Sequence, residues 1–268
     1  MVRHHNYYIA DYILKAQLGL LCYSYFMASN KIPKVCAFTL TQKEFRWHNE
    51  DSYLASKKFP IYAVADGVTM PMIHELMTPS ESKLASDKFC RKSVAFLEKH
   101  FRKLSLKTIK STYSYANRDI AKLNKGRRHK LSATAALAVV KDGGIFASRL
   151  CDSGFALIRE GKMVFKTPEF WSLFKAKKSK RYGVLDGATQ SLKYIDFYKL
   201  KYKNGDILAL FTDGFENHFS KKEFISLFQA KNMNQIEAGI KKVDAKLIKN
   251  NSEKFGHERT LLMVRLNH

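Results

Sequence analysis

Three largely apolar runs in this chain stop abruptly at an aspartate. Ile61–Ala65 leads into Asp66-Gly67, Ile145–Leu150 into Cys151-Asp152-Ser153-Gly154, and Ile207–Phe211 into Thr212-Asp213-Gly214. Short runs of this kind, bounded by turn formers, read as buried strands. Glycine after aspartate fits a turn, because Gly accepts positive φ and Asp bonds its own backbone. Carboxylates at three strand ends also let a fold aim oxygen ligands into one cleft. Hard cations such as Mg2+ and Mn2+ take such oxygens. If the three ends meet in space, the pattern fits metal-assisted hydrolysis.

The chain of 268 residues is 46% hydrophobic and 13% aromatic, which places it among globular proteins with a sizeable core. Its formal charge of +23 comes mainly from lysine, 35 Lys against 12 Arg. A nucleic-acid reader leans on Arg for bidentate contacts, so no specific nucleic-acid partner is expected. The field still attracts anionic partners such as phosphoproteins. The densest cluster, Lys175–Arg181, reads as an exposed loop, with a phosphate-attracting rim as its functional alternative. Cys22, Cys36, Cys90 and Cys151 form no CxxC pair and read as thiols of a reducing compartment, hence a cytoplasmic setting.

Residues 1–33 read as an N-terminal extension. Its apolar stretch Tyr12–Met27 is interrupted by Lys15 and Gln17 and falls short of the ~20 residues of a spanning helix. It reads as an amphipathic helix packed on the domain, or as an upstream segment if translation begins at Met27. Residues 34–268 read as one domain. Val35–Thr41 and Tyr53–Ala55 suggest a hairpin pair, followed by Ile61–Ala65. Helices are expected over Lys83–Phe101 and Ser105–Asn124. Ser132–Val140, Ile145–Leu150 and Ala156–Arg159 read as consecutive antiparallel strands, and Ile195–Leu200 with Ile207–Phe211 as a further pair. Two more helices, Lys221–Phe228 and Ile236–Lys249, precede a last strand, Thr260–Leu266. This order is that of an α+β domain with mainly antiparallel sheets and no transmembrane segment, expected to be a monomer.

Read in order, these segments resemble the metal-dependent protein phosphatases, the PPM or type 2C serine/threonine family. Arg46-Trp-His-Asn-Glu50-Asp51, Ala63-Val-Ala-Asp66-Gly67, Ser132–Val140, Cys151-Asp152-Ser153-Gly154 and Gly205–Phe215 each look like one of its motifs. Gly256-His257-Glu258-Arg259-Thr260 stands where the family carries Asp-(Asn/Asp)-x-Thr. The resemblance implies a four-layer sandwich, two antiparallel β-sheets flanked by α-helices. It implies hydrolysis of phosphoserine and phosphothreonine in proteins by a hydroxide bridging two Mg2+ or Mn2+ ions, with a weaker third ion. By that likeness Asp66 bridges the ions, Gly67 lends its carbonyl and Asp213 is a terminal ligand. Asp51 and Glu50 hold the metal-associated waters, Asp152 serves the additional site, and Arg46 grips the phosphate of a phosphoprotein substrate. The Lys175–Arg181 cluster leads to the expectation of acidic targets.

The chain departs from the family in three places. Val68-Thr69-Met70-Pro71 follows Gly67 where Gly-x-Gly-Gly is common, and a His found in some members at the position of Val68 is absent. The last metal Asp aligns with His257, leaving His257 or its neighbour Glu258 as the substitute, with Glu258 preferred. Asn217 stands where some members carry an acid, which weakens the additional site. These departures keep open an alternative, a pseudophosphatase that uses the same sandwich as a protein-binding module.

Overall fold

The computed structural model describes residues 23–25, 35–40, 49–68, 81–168, 183–229, 233–249 and 258–267. Thirteen strands are described: β1 Tyr23–Tyr25, β2 Val35–Leu40, β3 Ser52–Ala55, β4 Ile61–Ala65, β5 Gly67–Val68, β6 Ser132–Ala133, β7 Ala135–Lys141, β8 Gly144–Leu150, β9 Gly154–Arg159, β10 Lys162–Lys166, β11 Asp196–Lys201, β12 Ile207–Phe211 and β13 Arg259–Arg265. One sheet runs β1-β2-β13-β12-β9-β10 and the second β11-β8-β7-β4-β3, with β5-β6 as a small annex. Every pairing among them is antiparallel.

The helices are α1 Lys83–His100, α2 Leu106–Leu123, α3 Asp213–His218, α4 Lys221–Phe228 and α5 Met233–Lys249. Alternation along the strands sorts the core into three layers. Tyr62, Val64, Ala136, Ala138, Leu208, Leu210, Leu262 and Val264 fill the space between the sheets. Ile61, Ala63, Leu137 and Val139 face the other way, onto Phe89 and Leu97 of α1 and Ile109 and Tyr113 of α2. Ile207, Ala209 and Phe211 meet Phe215, Phe224, Ile236 and Ile240 of α3–α5. This is the expected four-layer sandwich. A strand such as β12 is apolar at all five positions because both of its faces are covered, leaving no solvent side to demand a polar alternation.

Three expected pairings are not formed. β2 and β3 lie in different sheets, as do β8 and β9, and β11 and β12. The physical distinction is in the turns. The true two-residue hairpins, at Asp142-Gly143 and Glu160-Gly161, hold both central residues at positive φ (50° and 73°, 49° and 69°), the twist a tight hairpin needs. The connection from β8 to β9 has only Cys151 there, at 69°, and it carries the chain from one sheet to the other. Tyr23–Tyr25 also departs from the helical reading of Tyr12–Met27. Its aromatic alternation suits a strand, and it pairs with β2 at the sheet edge. The rest of Tyr12–Met27 and of residues 1–33, and Lys175–Arg181, lie outside the described residues.

Candidate metal centre

Register fixes where the carboxylates go. In the second sheet Ser52 pairs with Ala65, Val64 with Ala136, and Ala135 with Leu150. The start of β3 and the ends of β4 and β8 therefore lie together, bringing Asp51, Asp66 and Asp152 to one edge. In the first sheet Phe211 pairs with both Leu261 and Gly154. That places Asp213, just after β12, beside Glu258, just before β13. The β8–β9 crossover joins the two sheets at this same end. Five acids from five separate segments thus share one mouth of the sandwich.

Their charges interact there. Asp66 keeps some exposed surface, yet its carboxyl is surrounded by protein atoms. Desolvation first, then the charges of Asp51, Asp213, Glu258 and Asp152, raise its pKa well above the ordinary carboxylate range. Asp51 is 3% exposed. Burial and the neighbouring Glu258 push it up to about 8, against opposing hydrogen bonds from threonine. Among the described residues no three Asp, Glu, His or Cys side chains are gathered tightly enough to grip one ion as they stand. The two observations are compatible, since charge interaction reaches well beyond the ~2.0–2.6 Å of a metal–oxygen bond. The acids share a field; they do not form a closed cage.

The donor set fits a hard divalent cation. All five acids offer oxygen, and Asp51 Oδ1 is buried with no hydrogen-bond partner among the described residues. A buried carboxylate oxygen left so is expensive unless a cation or proton meets it.

Backbone and hydroxyl contacts hold the acids in place. The Asp51 N–H donates to Asn49 Oδ1 at 2.9 Å, and the Gly67 N–H donates to the Glu50 carbonyl at 3.2 Å. Ser86 donates to the same carbonyl at 2.5 Å, so α1 fastens the segment carrying Glu50 and Asp51. Glu50 itself is buried at 1% exposure. The Thr134 N–H donates to the Asp66 carbonyl at 2.8 Å. Glycine is required here for space rather than for conformation, contrary to the turn reading. None of Gly67, Gly154 and Gly214 has positive φ. A Cβ on Gly67 would come within 2.8 Å of the Ser82 backbone, and one on Gly214 within 2.0 Å of the Glu258 carbonyl oxygen.

Two residues at the site carry roles that the sequence reading did not assign. Thr212 Oγ1 accepts the Thr260 N–H at 2.9 Å and, its own hydrogen being free, donates to Asp51 Oδ2 at 2.8 Å. It therefore ties Asp51 of one sheet to β12 and β13 of the other. Lys83 Nζ donates to the Asp51 carbonyl and to Ser52 Oγ. Its signal was available in the sequence: a lysine in the first turn of a helix with no acid there opposes the helix dipole and has another task. Arg46 and His257 lie outside the described residues, as do the side chains of Glu216 and Asn217.

Comparison with known proteins agrees with this architecture. The family model for protein phosphatase 2C matches residues 46–249. The probable protein phosphatase 2C 80 of Arabidopsis thaliana is 26% identical over 121 residues, 45% of this chain and 28% of that relative, so the match spans under a third of its length. A bacterial serine phosphatase structure superposes with a TM-score of 0.66 at 14% identity, covering 88% of this chain and 99% of that one. The catalytic domain of the serine/threonine phosphatase PstP, solved with two manganese ions, gives 0.63 at 14% identity over 88% and 98%. These structural likenesses establish the fold, and the sequence match over most of the chain establishes kinship. The chain belongs to the protein phosphatase 2C family.

Proposed function

We propose that this chain hydrolyses phosphoserine and phosphothreonine in proteins, using two divalent ions, Mg2+ or Mn2+, held at the carboxylate mouth. The observation that carries this reading is the convergence of Asp51, Asp66, Asp152, Asp213 and Glu258 on one end of the sandwich, with Asp66 feeling the other four. When bound, such ions supply Lewis acidity and a water acidic enough to attack phosphorus at neutral pH. The chain's own part is to hold and orient. Asp66 would hold the ions together with the Gly67 carbonyl, and Asp213 and Glu258 would complete the set from the other sheet. Asp51, its Oδ2 held by Thr212, presents its unpartnered Oδ1 to the site. Asp152 serves a peripheral position and Glu50 a supporting one. Arg46 is assigned the phosphoryl oxygens, which its guanidinium fork would hold in line for displacement.

Glu258, rather than His257, is the replacement for the family's last metal aspartate. Its charge is the largest neighbouring influence on Asp51, so its carboxylate stands within the group. The described thiols, Cys90 and Cys151, are free, which supports a reducing, cytoplasmic setting. Among the described residues no helix is long and apolar enough to cross a membrane.

The test is hydrolysis of an aryl phosphate and of a phosphothreonine peptide by chelated protein, before and after adding Mn2+ or Mg2+. Turnover that appears only with the cation supports the reading. Turnover that survives excess chelator contradicts it, and none under any metal would leave a protein-binding pseudophosphatase.

A further inference from the structure

Beside the mouth stands a short loop that the catalytic reading leaves without a task. Residues 125–130, Lys-Gly-Arg-Arg-His-Lys, carry four cations and a histidine in six positions and connect α2 to β6. All are exposed except Arg127, which is half-buried. Unlike a solvated lysine tail, the loop is clasped at its neck. Asn124 Nδ2 donates to the Leu131 carbonyl at 2.8 Å, and the Leu131 N–H returns to Asn124 Oδ1 at 2.8 Å. A further bond from Asn124 Nδ2 reaches the Asp186 carbonyl at 2.8 Å. Arg127 is committed to structure, donating through Nε to the Leu123 carbonyl at 2.9 Å and pairing with Glu81.

The remaining cations are differently placed. Among the described residues no acid pairs with Lys125, Arg128 or Lys130. The acids nearby are engaged elsewhere, Glu81 by Arg127 and Asp186 through Oδ1 by the Ala188 N–H at 2.8 Å. The loop runs directly into the site. After Leu131, Ser132 and Ala133 pair with Val68 and Gly67, and the Thr134 N–H meets the Asp66 carbonyl. Lys130 is four residues from Thr134, at most ~14 Å along the chain. Lys130 therefore lies no farther from Asp66 than about the span of five or six residues of extended peptide.

We infer that Arg128 and Lys130 form an anchoring site for acidic side chains of the substrate, located three to five residues from the phosphorylated one. This rests on the phosphatase reading and names its substrate class: phosphoproteins acidic around the target residue. A rigid, already clasped loop loses little freedom on binding, so even solvent-exposed charge pairs contribute net affinity there. Since the cations touch no reacting group, they act on peptide binding and leave the hydrolytic step alone.

The experiment compares a phosphothreonine peptide carrying Asp and Glu at those positions with its alanine counterpart. KM and kcat are measured with Mn2+, and fluorescence anisotropy follows binding under chelator. The wild-type chain is set beside R128Q/K130Q and beside K107Q/K110Q, an exposed pair at the far end of α2. Wild type should prefer the acidic peptide by roughly tenfold, expressed in KM and not in kcat. R128Q/K130Q should reduce this to within about twofold and leave aryl phosphate turnover unchanged, while K107Q/K110Q keeps the preference. Equal loss in both variants would overturn the inference, because the general positive field would then be responsible. A preference that survives R128Q/K130Q overturns it too, as does tighter binding of an RNA oligomer than of the acidic peptide at physiological salt. If no phosphoester is hydrolysed at all, the phosphatase reading fails. The anisotropy arm still decides the inference: loss of acidic-peptide binding in R128Q/K130Q supports it, and unchanged or absent binding refutes it.

Discussion

The two ends of strand β12 carry aspartates in opposite surroundings. At its start, Asp206 is 1% exposed and receives Arg159 through two bonds of 2.9 and 2.8 Å. The Lys203 N–H adds a third at 2.8 Å. Burial alone would raise its pKa, but the guanidinium and the backbone donor outweigh burial and lower it. At the other end Asp213 joins Asp51, Asp66, Asp152 and Glu258, where burial and like charge raise Asp51 and Asp66. One end is a completed polar network that locks the connection from β11 to β12. The other gathers negative charge with no described cation paired to the carboxylates of Asp51 or Asp66, an arrangement that makes sense as a binding site and poorly as a stabilising one.

The sharpest way to break this contrast is substitution at the mouth. Asp66→Asn or Asp213→Asn should reduce metal-dependent phosphoester hydrolysis roughly a thousandfold or more, with far-UV circular dichroism unchanged. A variant retaining a tenth of the activity would remove that residue from the ion-holding role.

Thr212 is the next largest. Thr212→Val keeps the shape and removes both the acceptor for Thr260 and the donor to Asp51, so activity and Mn2+ affinity should fall roughly ten- to hundredfold. Thr212→Ser should restore most of both. Failure of serine to rescue would mean that the methyl group, and not the hydroxyl, is what matters.

Glu258 and His257 can be separated by metal affinity. Glu258→Gln should weaken Mn2+ binding about tenfold, measured calorimetrically, and His257→Ala should change it by less than about twofold. The reverse order would reassign the ligand to the imidazole.

Asp206→Asn makes the opposite prediction to Asp66→Asn. It should lower Tm by roughly 5 °C, since the bonds from half-buried Arg159 to buried Asp206 are weakened, and leave kcat/KM within about twofold. Large loss of activity with unchanged Tm would dissolve the distinction between the two ends.

The pH dependence of the chelated protein separates the two ends by sign. Asp51 titrates near 4 when unfolded and at about 8 when folded. Across that window the unfolded chain binds fewer protons, so stability falls as pH rises. Asp206, with its lowered pKa, acts the other way. Its contribution is present above its unfolded pKa near 4 and is lost as pH falls through the folded value. Asp51→Asn should flatten the decline between pH 5 and 8; an unchanged slope would mean that Asp51 does not carry it.

How much of this could be read in the sequence differs between elements. The buried strands and both long helices were legible, α1 and α2 within a residue of expectation, because apolar periodicity reports burial directly. Sheet membership was not. Asp142-Gly143 and Cys151-Asp152 look alike as turns, yet only the first closes a hairpin, and the difference lies in backbone φ and in which face of which sheet the next strand covers. The strand-end aspartates were legible as a group, since a polar stop after a fully apolar strand is conspicuous. Their glycines were legible in identity but not in cause: at Gly67 and Gly214 the space is taken by the backbone of Ser82 and Glu258. Lys83 signalled only that it had another task; that task, like the role of Thr212, depends on segments far away in the chain meeting in space.

The central claim is that the acids at one end of β12, and not the acid at the other, exist to hold divalent cations. Titrating Mn2+ into chelated wild-type, Asp66→Asn and Asp206→Asn proteins by calorimetry at pH 7.5 tests it directly. The account predicts binding at tens of micromolar, with proton release, in wild type and Asp206→Asn, and no binding in Asp66→Asn. Equal binding in all three proteins, or none in wild type while the fold is intact, would contradict it.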